Sequence, residues 1–240
     1  MFCNKCGNQI PDLSVSCPHC GTVQQLNPAG GAPATAAQSA NQYIALADIP
    51  FKTSGKSARF FSDHIEFKGQ SLRYDQIAQI TARAAVTVHT YVGIPVGRSF
   101  DGVVLFKMDS GKTHKIIMSA MNVFGIGKAR KNEKLYPPLF EAVNAIVAKN
   151  VAQRYINQIR AGATVEVAGL TINSLQATAQ AKISKKITVI NKENYRESQI
   201  TNGYGGVAVY DKPGELLWSS SVFSNKNILL VPYILDAIFA

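Results

Sequence analysis

The chain beyond residue 43 alternates short apolar runs with polar turn residues, which is the pattern that β-strands leave in a sequence. The longest such run, residues 77–92, is rich in β-branched side chains and predicts an extended strand. Because residues two apart point to the same side of a strand, Val86, Val88 and Val92 are expected to share one face. The pattern therefore predicts a β-rich body.

Two segments of this body have the form of β-hairpins. Residues 102–118 and residues 206–220 each hold two apolar runs around a short turn that contains glycine. The turns are residues 109–111 in the first segment and residues 211–214 in the second. Each segment is therefore predicted to form a pair of antiparallel strands.

A long helix is predicted to follow the first hairpin, because apolar residues recur there at the 3.6-residue period of an α-helix. Pro137 and Pro138 suit its first turn, and Gly162 suits its C-terminal end. Residues 228–240 predict a shorter core helix, since they are too few to span a bilayer and include Pro232. The apolar positions of the long helix are Leu139, Phe140, Val143, Ile146, Val147 and Val151.

The second half of the chain repeats the order of the first: strands, a hairpin and a helix that begins with proline. Gly-Val-Ala-Val-Tyr at residues 206–210 echoes Gly-Val-Val-Leu-Phe at residues 102–106, and the first half alone contains an insertion at residues 125–132. This order predicts two diverged tandem units, residues 43–161 and residues 162–240. The alternative is two unrelated stretches whose similarity is due to chance.

Two stretches of the first unit have a distinctive order of strand, turn and strand: Phe-Ser-Asp-His-Ile-Glu-Phe at residues 61–67 and Leu-Arg-Tyr-Asp-Gln-Ile-Ala-Gln-Ile at residues 72–80. They resemble bacterial pleckstrin-homology-like (PH-like) and GRAM-like domains. In the second half the resemblance rests on residues 186–190 and on the ending that follows Trp218. It covers residues 44–240 and implies an α+β fold, in which each unit is a bent sheet or partial barrel closed by a C-terminal helix.

The four cysteines of the chain form two Cys-x-x-Cys pairs, Cys3 with Cys6 and Cys17 with Cys20. In a reducing compartment, paired motifs of this kind indicate metal ligands more often than disulfides. Four thiolates complete the tetrahedral shell of a structural Zn²⁺, and iron is the alternative that the same ligands allow. The segment resembles the short zinc ribbon at the N-terminus of many prokaryotic proteins, and we assign it to residues 1–23.

Residues 24–42 separate this ribbon from the β-rich body and contain neither a charged nor an aromatic residue. Such a segment buries too little apolar surface to offset the entropy of ordering, so we predict a flexible linker with a reach of about 25 Å. The N-terminus has no apolar signal sequence. We therefore expect a cytoplasmic protein, either free or attached to the surface of the membrane.

The chain carries a formal net charge of +10 and has a pI near 9.5, which favours acidic partners. Its basic residues concentrate in the insertion of the first unit, just before the predicted helix, and in a loop between the early strands. Both places are candidate sites for an anion or an acidic partner, and the alternative is that they are ordinary solvated loops. The candidate residues are Lys128, Arg130, Lys131, Lys134, Lys52, Lys56 and Arg59.

The glycine–lysine sequences at residues 55–57 and 111–113 lack the upstream glycine of a phosphate-binding loop, and the sequence has no nucleophile elbow. We therefore expect a protein that is not an enzyme and has no small-molecule substrate. The prediction is an adaptor whose zinc ribbon and PH-like units bind a protein partner or an anionic membrane surface. A regulatory protein that binds nucleic acid is the alternative, less favoured because the ribbon is nearly neutral and has few aromatic residues.

Overall fold

The computed structural model describes residues 45–50, 57–123, 126–180, 187–201, 206–221 and 225–240. The chain divides into two units, Met1–Gln42 and Tyr43–Ala240. The predicted zinc ribbon and linker belong to the first unit and lie outside the described residues. The elements below are therefore all elements of the second unit.

The second unit opens with a four-stranded antiparallel sheet in which each strand pairs with the next along the chain. Phe60, Ile65 and Leu72 point from it into the core, and a short 3₁₀ helix, Tyr74–Gln76, follows it. The strands are β1 (Ala47–Pro50), β2 (Ser57–Phe60), β3 (His64–Phe67) and β4 (Gln70–Arg73).

A second antiparallel sheet is built around a long hairpin formed by β5 (Ile77–Tyr91) and β6 (Ile94–Met108). The expectation that Val92 lies on a strand face was wrong, because Val92 and Gly93 form the two-residue turn of this hairpin and both have positive φ. Three more strands extend the sheet: β7 (Thr113–Ile117) and β8 (Ala120–Val123) pair with β6, and β9 (Ile126–Gly127) pairs with β8.

The helical segment of the first half consists of α1 (Ala129–Ala142), a π-helical turn (Val143–Ala148) and α2 (Lys149–Arg160). The prediction that Pro137 and Pro138 form its first turn was wrong, because both lie inside α1. The side chain of Asn122 on β8 supplies the missing start signal: its Oδ1 accepts a hydrogen bond of 2.8 Å from the first N–H group of α1.

The predicted end of the helical segment is confirmed at Gly162. This glycine has a φ of +90°, a left-handed conformation that side chains disfavour, and its N–H donates to the carbonyl of Ile159 at 2.9 Å. Ala163 in turn donates to Gln158 at 3.0 Å, so the last carbonyl groups of α2 are satisfied.

The second half has the same order of elements as the first, namely a four-stranded sheet, a second sheet and a C-terminal helix, but its second sheet has three strands where that of the first half has five. The four-stranded sheet contains β10 (Val165–Val167), β11 (Leu170–Ile172), β12 (Gln176–Gln180) and β13 (Ile187–Asn191). The three-stranded sheet contains β14 (Tyr195–Thr201), β15 (Gly206–Asp211) and β16 (Leu216–Ser221). A 3₁₀ helix (Ile228–Leu230) then leads into α3 (Val231–Phe239).

Both predicted hairpins are confirmed, as β6 with β7 and as β15 with β16. The two glycine-led sequences that echo each other, at residues 102–106 and 206–210, occupy the central strand of their sheets. The structure is thus α+β and rich in strands, as expected.

The two halves share one hydrophobic core. Polar contacts join them as well: the side chain of Asn227 accepts a hydrogen bond from the N–H of Ile80 (2.7 Å) and donates to the carbonyl of Ala78 (3.2 Å). Tyr233 of α3 donates to the carbonyl of Asn144 at 3.0 Å. The division into tandem units at residue 161 therefore stays a prediction about the sequence repeat, within a body that packs as one.

Among the helices in the described parts of the chain, none is both long enough and apolar enough to cross a membrane.

Candidate functional site

The predicted site residues fall into three groups. The first, Cys3, Cys6, Cys17 and Cys20 together with Lys52 and Lys56, lies outside the described residues. The second is Arg59 on β2, whose guanidinium forms an ion pair with Glu66 at 2.7 Å. Arg59 lines a different hollow from Arg130 and Lys134, so Arg59 and the cations of α1 lie on separate surfaces.

The third group is exposed around the start of α1 and consists of Lys128, Arg130, Lys131 and Lys134. Arg130 and Lys134 lie one helical turn apart and share a face. Both line a hollow of about 540 Å³ whose opposite wall is the β5–β6 hairpin, through Val86. We call it the basic hollow; its main lining residues are Val86, Arg98, Phe100, Arg130, Glu133 and Lys134.

The basic hollow keeps an excess of positive charge. Glu133 pairs with Arg98 at 2.5 Å, with side-chain exposures of 33% and 36%. Within the described ranges, neither Arg130 nor Lys134 has a carboxylate partner. The cations of α1 are therefore available to an anion that enters the hollow.

Arg98 carries one buried donor, its Nε, which has no hydrogen-bond partner among the residues described. A buried donor without an acceptor costs about 1–3 kcal/mol. The side chain as a whole is 36% exposed and lines the hollow. Phosphate and carboxylate oxygens are acceptors that bind strongly to guanidinium groups.

A second, smaller hollow of about 380 Å³ adjoins the basic hollow on the side of the hairpin turn. Arg98 and Arg130 line both, and Val88 and Pro95 add an apolar wall to the smaller one. Asn122 also lines it while capping α1, which fixes the start of the helix against the sheet. The two hollows thus form one surface on which arginine side chains lie beside apolar hairpin residues.

Another hollow, of about 630 Å³, lies between α2 and the 3₁₀ helix that follows β4, but its cations are neutralised. Arg73 forms an ion pair with Asp75 at 2.9 Å, and this hydrogen-bonded pair lowers the pKa of Asp75. Arg154 pairs with Asp109 at 3.0 Å and donates to the carbonyls of Asp75 and Ile77. These bonds hold α2 against the sheet, so the residues have a structural role.

The histidines of the body are spread over separate surfaces. His64 lies 2.6 Å from Asp63, whose pKa this hydrogen bond lowers. His89 lies 3.2 Å from the hydroxyl of Ser99, and burial lowers the pKa of His114. In the part of the chain that the structure describes, no three His, Cys, Asp or Glu side chains cluster in a way that could hold a metal ion.

Sequence reasoning missed the tip of the long hairpin. Tyr91, Val92 and Ile94 are 72%, 83% and 66% exposed, although apolar side chains of this size are usually buried. The sequence does hold a signal, because residues 84–97 contain no Asp, Glu, Lys or Arg. The sequence predicts an extended strand over residues 77–92, and only the pairing of β5 with β6 shows that its outer part projects from the core.

Comparison with known families gives one match: residues 2–23 match the model of a zinc-ribbon domain. No curated protein matches the chain, and no solved structure does. The donor set fits this family, since four cysteine thiolates in two pairs are the ligands of a closed structural zinc site. The prediction of an N-terminal zinc ribbon is confirmed by this match, and the family implies that residues 2–23 bind zinc.

Proposed function

We propose that the protein is a zinc-binding adaptor without enzymatic activity, whose β-rich body binds an anionic membrane surface or an acidic protein. The observation that carries the proposal is the basic hollow. Arg130 and Lys134 have no carboxylate partner among the described residues there, and Arg98, whose buried Nε has no acceptor among those residues, lines the same space. Cations and an unsatisfied donor beside apolar residues are suited to bind an anion.

The order of the elements supports PH-like units as the scaffold. Each half has a four-stranded sheet, a hairpin-based second sheet and a helix at its end, which is the plan that the sequence resemblance implies. Domains of that kind bind partners on their surface. We therefore propose that the body is a binding module built from two such units.

The zinc ribbon adds a second binding element in this proposal. Four thiolates leave no open coordination position, so the zinc is structural and the ribbon would act by contact with a partner. Thiolate ligands of this kind persist in a reducing compartment, which supports a cytoplasmic location. The linker would let the ribbon reach a partner separate from the one bound by the body.

The proposal is tested by removing two cations from the basic hollow of the full-length protein. The variant Arg130→Gln/Lys134→Gln should bind vesicles that contain anionic phosphatidylglycerol about thirtyfold more weakly, because each cation near an anionic surface contributes about 1 kcal/mol. The control, Lys107→Gln/Lys149→Gln, removes the same charge from exposed positions elsewhere on the body. Equal loss in both variants would contradict a site at the basic hollow.

Nucleic-acid binding is the second candidate, favoured by the zinc-ribbon match and the net charge of +10. It makes a different prediction in a filter-binding titration: micromolar affinity for nucleic acid and a steep fall with salt, since bound phosphates release counterions. That result, together with weak binding to anionic vesicles, would replace the adaptor proposal.

A further inference from the structure

We propose that the tip of the β5–β6 hairpin, residues 91–94, inserts into the interfacial layer of an anionic bilayer while the arginines of the basic hollow contact the headgroups. The inference rests on the proposed function and deepens it, because it names the membrane as the partner and assigns the element that enters it. Four observations of the hairpin and its surroundings support it.

The first observation is that the outer half of the hairpin is uncharged and exposed. Residues 84–97, between Arg83 and Arg98, contain no Asp, Glu, Lys or Arg. Val86 and Val88 are 44% and 53% exposed on the face that continues from the core, and the tip beyond them is more exposed still. An exposed apolar patch of this kind indicates a surface that another apolar phase covers.

The second observation concerns the conformation of Val92. A two-residue hairpin turn with positive φ at both positions favours Asn-Gly, yet Val92 occupies the first position with a φ of +46°. A β-branched side chain is strained in this conformation, and burial within the chain does not compensate, since Val92 is 83% exposed. Burial of the Val92 side chain in an apolar phase outside the protein would offset the strain and explain why valine occupies this position.

The third observation is the position of the cations behind the tip. Arg98 lies opposite Val88 on β5 and opposite Asn122 on β8, and Asn122 holds the start of α1 beside them. Arg98 lies four positions after Ile94, which corresponds to roughly 13 Å at the usual rise per residue. Interfacial elements enter a bilayer by about 5–10 Å, so the tip can reach the acyl boundary while Arg98 and the neighbouring Arg130, which has no carboxylate partner among the described residues, stay at the level of the phosphates.

The fourth observation is that the neighbouring strands widen the apolar surface at the same end of the sheet. Val123 pairs with Gly97, and Ile126 pairs with Val123, so both lie level with the outer part of the hairpin. Ile126 is 81% exposed and Met121 is 57% exposed. The exposed apolar surface therefore continues beside the hairpin at the level of Gly97, behind the tip.

This arrangement fits an anionic bilayer better than other partners. Along its normal, a bilayer has anionic headgroups first and an apolar layer beneath them. The apolar tip would lie in the apolar layer, and the arginines behind the tip would lie at the headgroups. A nucleic acid offers phosphates but no apolar layer for Val92 and Ile94. A second copy of the chain would bring two basic surfaces together, which like-charge repulsion disfavours.

The first test separates insertion from folding by the substitution Val92→Asn. Asparagine tolerates positive φ, so the melting temperature should stay the same or rise, while affinity for vesicles with phosphatidylglycerol should fall about fivefold as apolar contact is lost. The control, Leu175→Asn, makes the same kind of change at a residue that is 79% exposed in the second half. Unchanged affinity of Val92→Asn, or an equal fall in the control, would overturn the inference.

The second test measures depth with Tyr91→Trp in a Trp218→Phe background, so that one tryptophan reports from the tip of the full-length protein. Trp218 is half-buried on β16, and circular dichroism checks that its replacement leaves the fold intact. Insertion predicts a blue-shifted emission on anionic vesicles and strong quenching by lipids brominated on their acyl chains. If the protein binds anionic vesicles without quenching, insertion is overturned and the basic hollow remains as an electrostatic site. If the protein does not bind anionic vesicles at all, the proposed function itself is contradicted.

Discussion

Single side chains decide how the two halves of the body are joined. Asn227 adopts a left-handed conformation with a φ of +61°, and its side chain makes two hydrogen bonds to the β5 backbone, at Ile80 and Ala78. Asparagine suits both roles, because it tolerates positive φ and carries an acceptor and a donor on a short side chain.

The substitution Asn227→Ala should therefore lower the free energy of unfolding by about 2 kcal/mol, as it removes both hydrogen bonds and strains the backbone. Asn227→Gly removes the same side-chain hydrogen bonds but adopts the positive φ without strain, so it should cost less than Asn227→Ala. Urea denaturation of the two variants measures the difference. Equal losses would show that backbone strain at residue 227 does not contribute to the cost.

Buried tyrosines make the body sensitive to alkali. Burial raises the pKa of Tyr74, which donates to the carbonyl of Phe61, and that of Tyr195, which is bonded to Asp236. The unfolded chain then loses its tyrosine protons at a lower pH than the folded chain does. Stability contributed by the neutral tyrosines is complete below their ordinary pKa of about 10 and falls as the pH rises above it.

We expect the free energy of unfolding to decrease between pH 9.5 and 11, and the slope to be smaller in Tyr195→Phe, which removes one titrating group. Chemical denaturation across this range measures both slopes, so the comparison does not depend on the stability that the substitution itself costs. A variant slope equal to that of the unchanged protein would contradict a raised pKa at Tyr195.

At the scale of the elements, the repeated glycines mark close contacts of the central strands. A Cβ at Gly102 would lie 2.6 Å from the ring of Tyr136 on α1, and a Cβ at Gly206 would lie 2.2 Å from the carbonyl oxygen of Ser220 on β16. Both distances are shorter than a non-bonded contact of a Cβ atom can be. Packing therefore explains why the two similar sequences, at residues 102–106 and 206–210, both begin with glycine.

The substitution Gly102→Ala should lower the free energy of unfolding by about 1–3 kcal/mol, because Tyr136 is fully buried and α1 has to shift to admit a methyl group. Gly111→Ala provides a comparison, since that turn has open space and the cost there comes from its positive φ alone. The melting temperatures of the two variants test the claim, and a smaller loss at Gly102 than at Gly111 would contradict it.

The sequence predicts the elements whose signals are local and misses those whose causes lie elsewhere in the chain. The turn at residues 109–111 and the helix end at Gly162 follow from residues at the turn itself, and both are confirmed. The start of α1 depends on Asn122, a side chain from another strand. Arg98 was missed as a site residue for the same reason, since its partner Glu133 is 35 residues away in the sequence.

The hairpin tip shows a different limit of sequence reasoning. Valine favours strands, so a valine next to Gly93 extends the predicted strand instead of ending it. The turn exists because the pairing of β5 with β6 requires it there, against the local preference of Val92. Such a conflict between local preference and fold is most common at functional sites, which agrees with the role proposed for the tip.

At the scale of the whole molecule, the zinc ribbon and the β-rich body have separate sources of stability. Metal binding supplies most of the stability of a module as small as residues 2–23, whereas the body has a core of its own. A strong chelator should therefore release zinc and unfold the ribbon while the melting temperature of the body stays unchanged. Loss of the β-sheet signal in circular dichroism on chelation would contradict this independence. The control is Cys3→Ser/Cys20→Ser, which lacks two of the four ligands and should show no change on chelation.

The basic hollow and the hairpin tip together are proposed to bind the body to anionic membrane surfaces. The most direct measurement is co-sedimentation of the full-length protein with vesicles in which the share of phosphatidylglycerol rises from none upward, at low and at physiological salt. We expect little binding to neutral vesicles, a steep rise in affinity with anionic lipid, and a partial loss with salt that leaves the apolar contribution of the tip. Binding that does not depend on the anionic share, or no binding at any composition, would rule out this mode of membrane attachment.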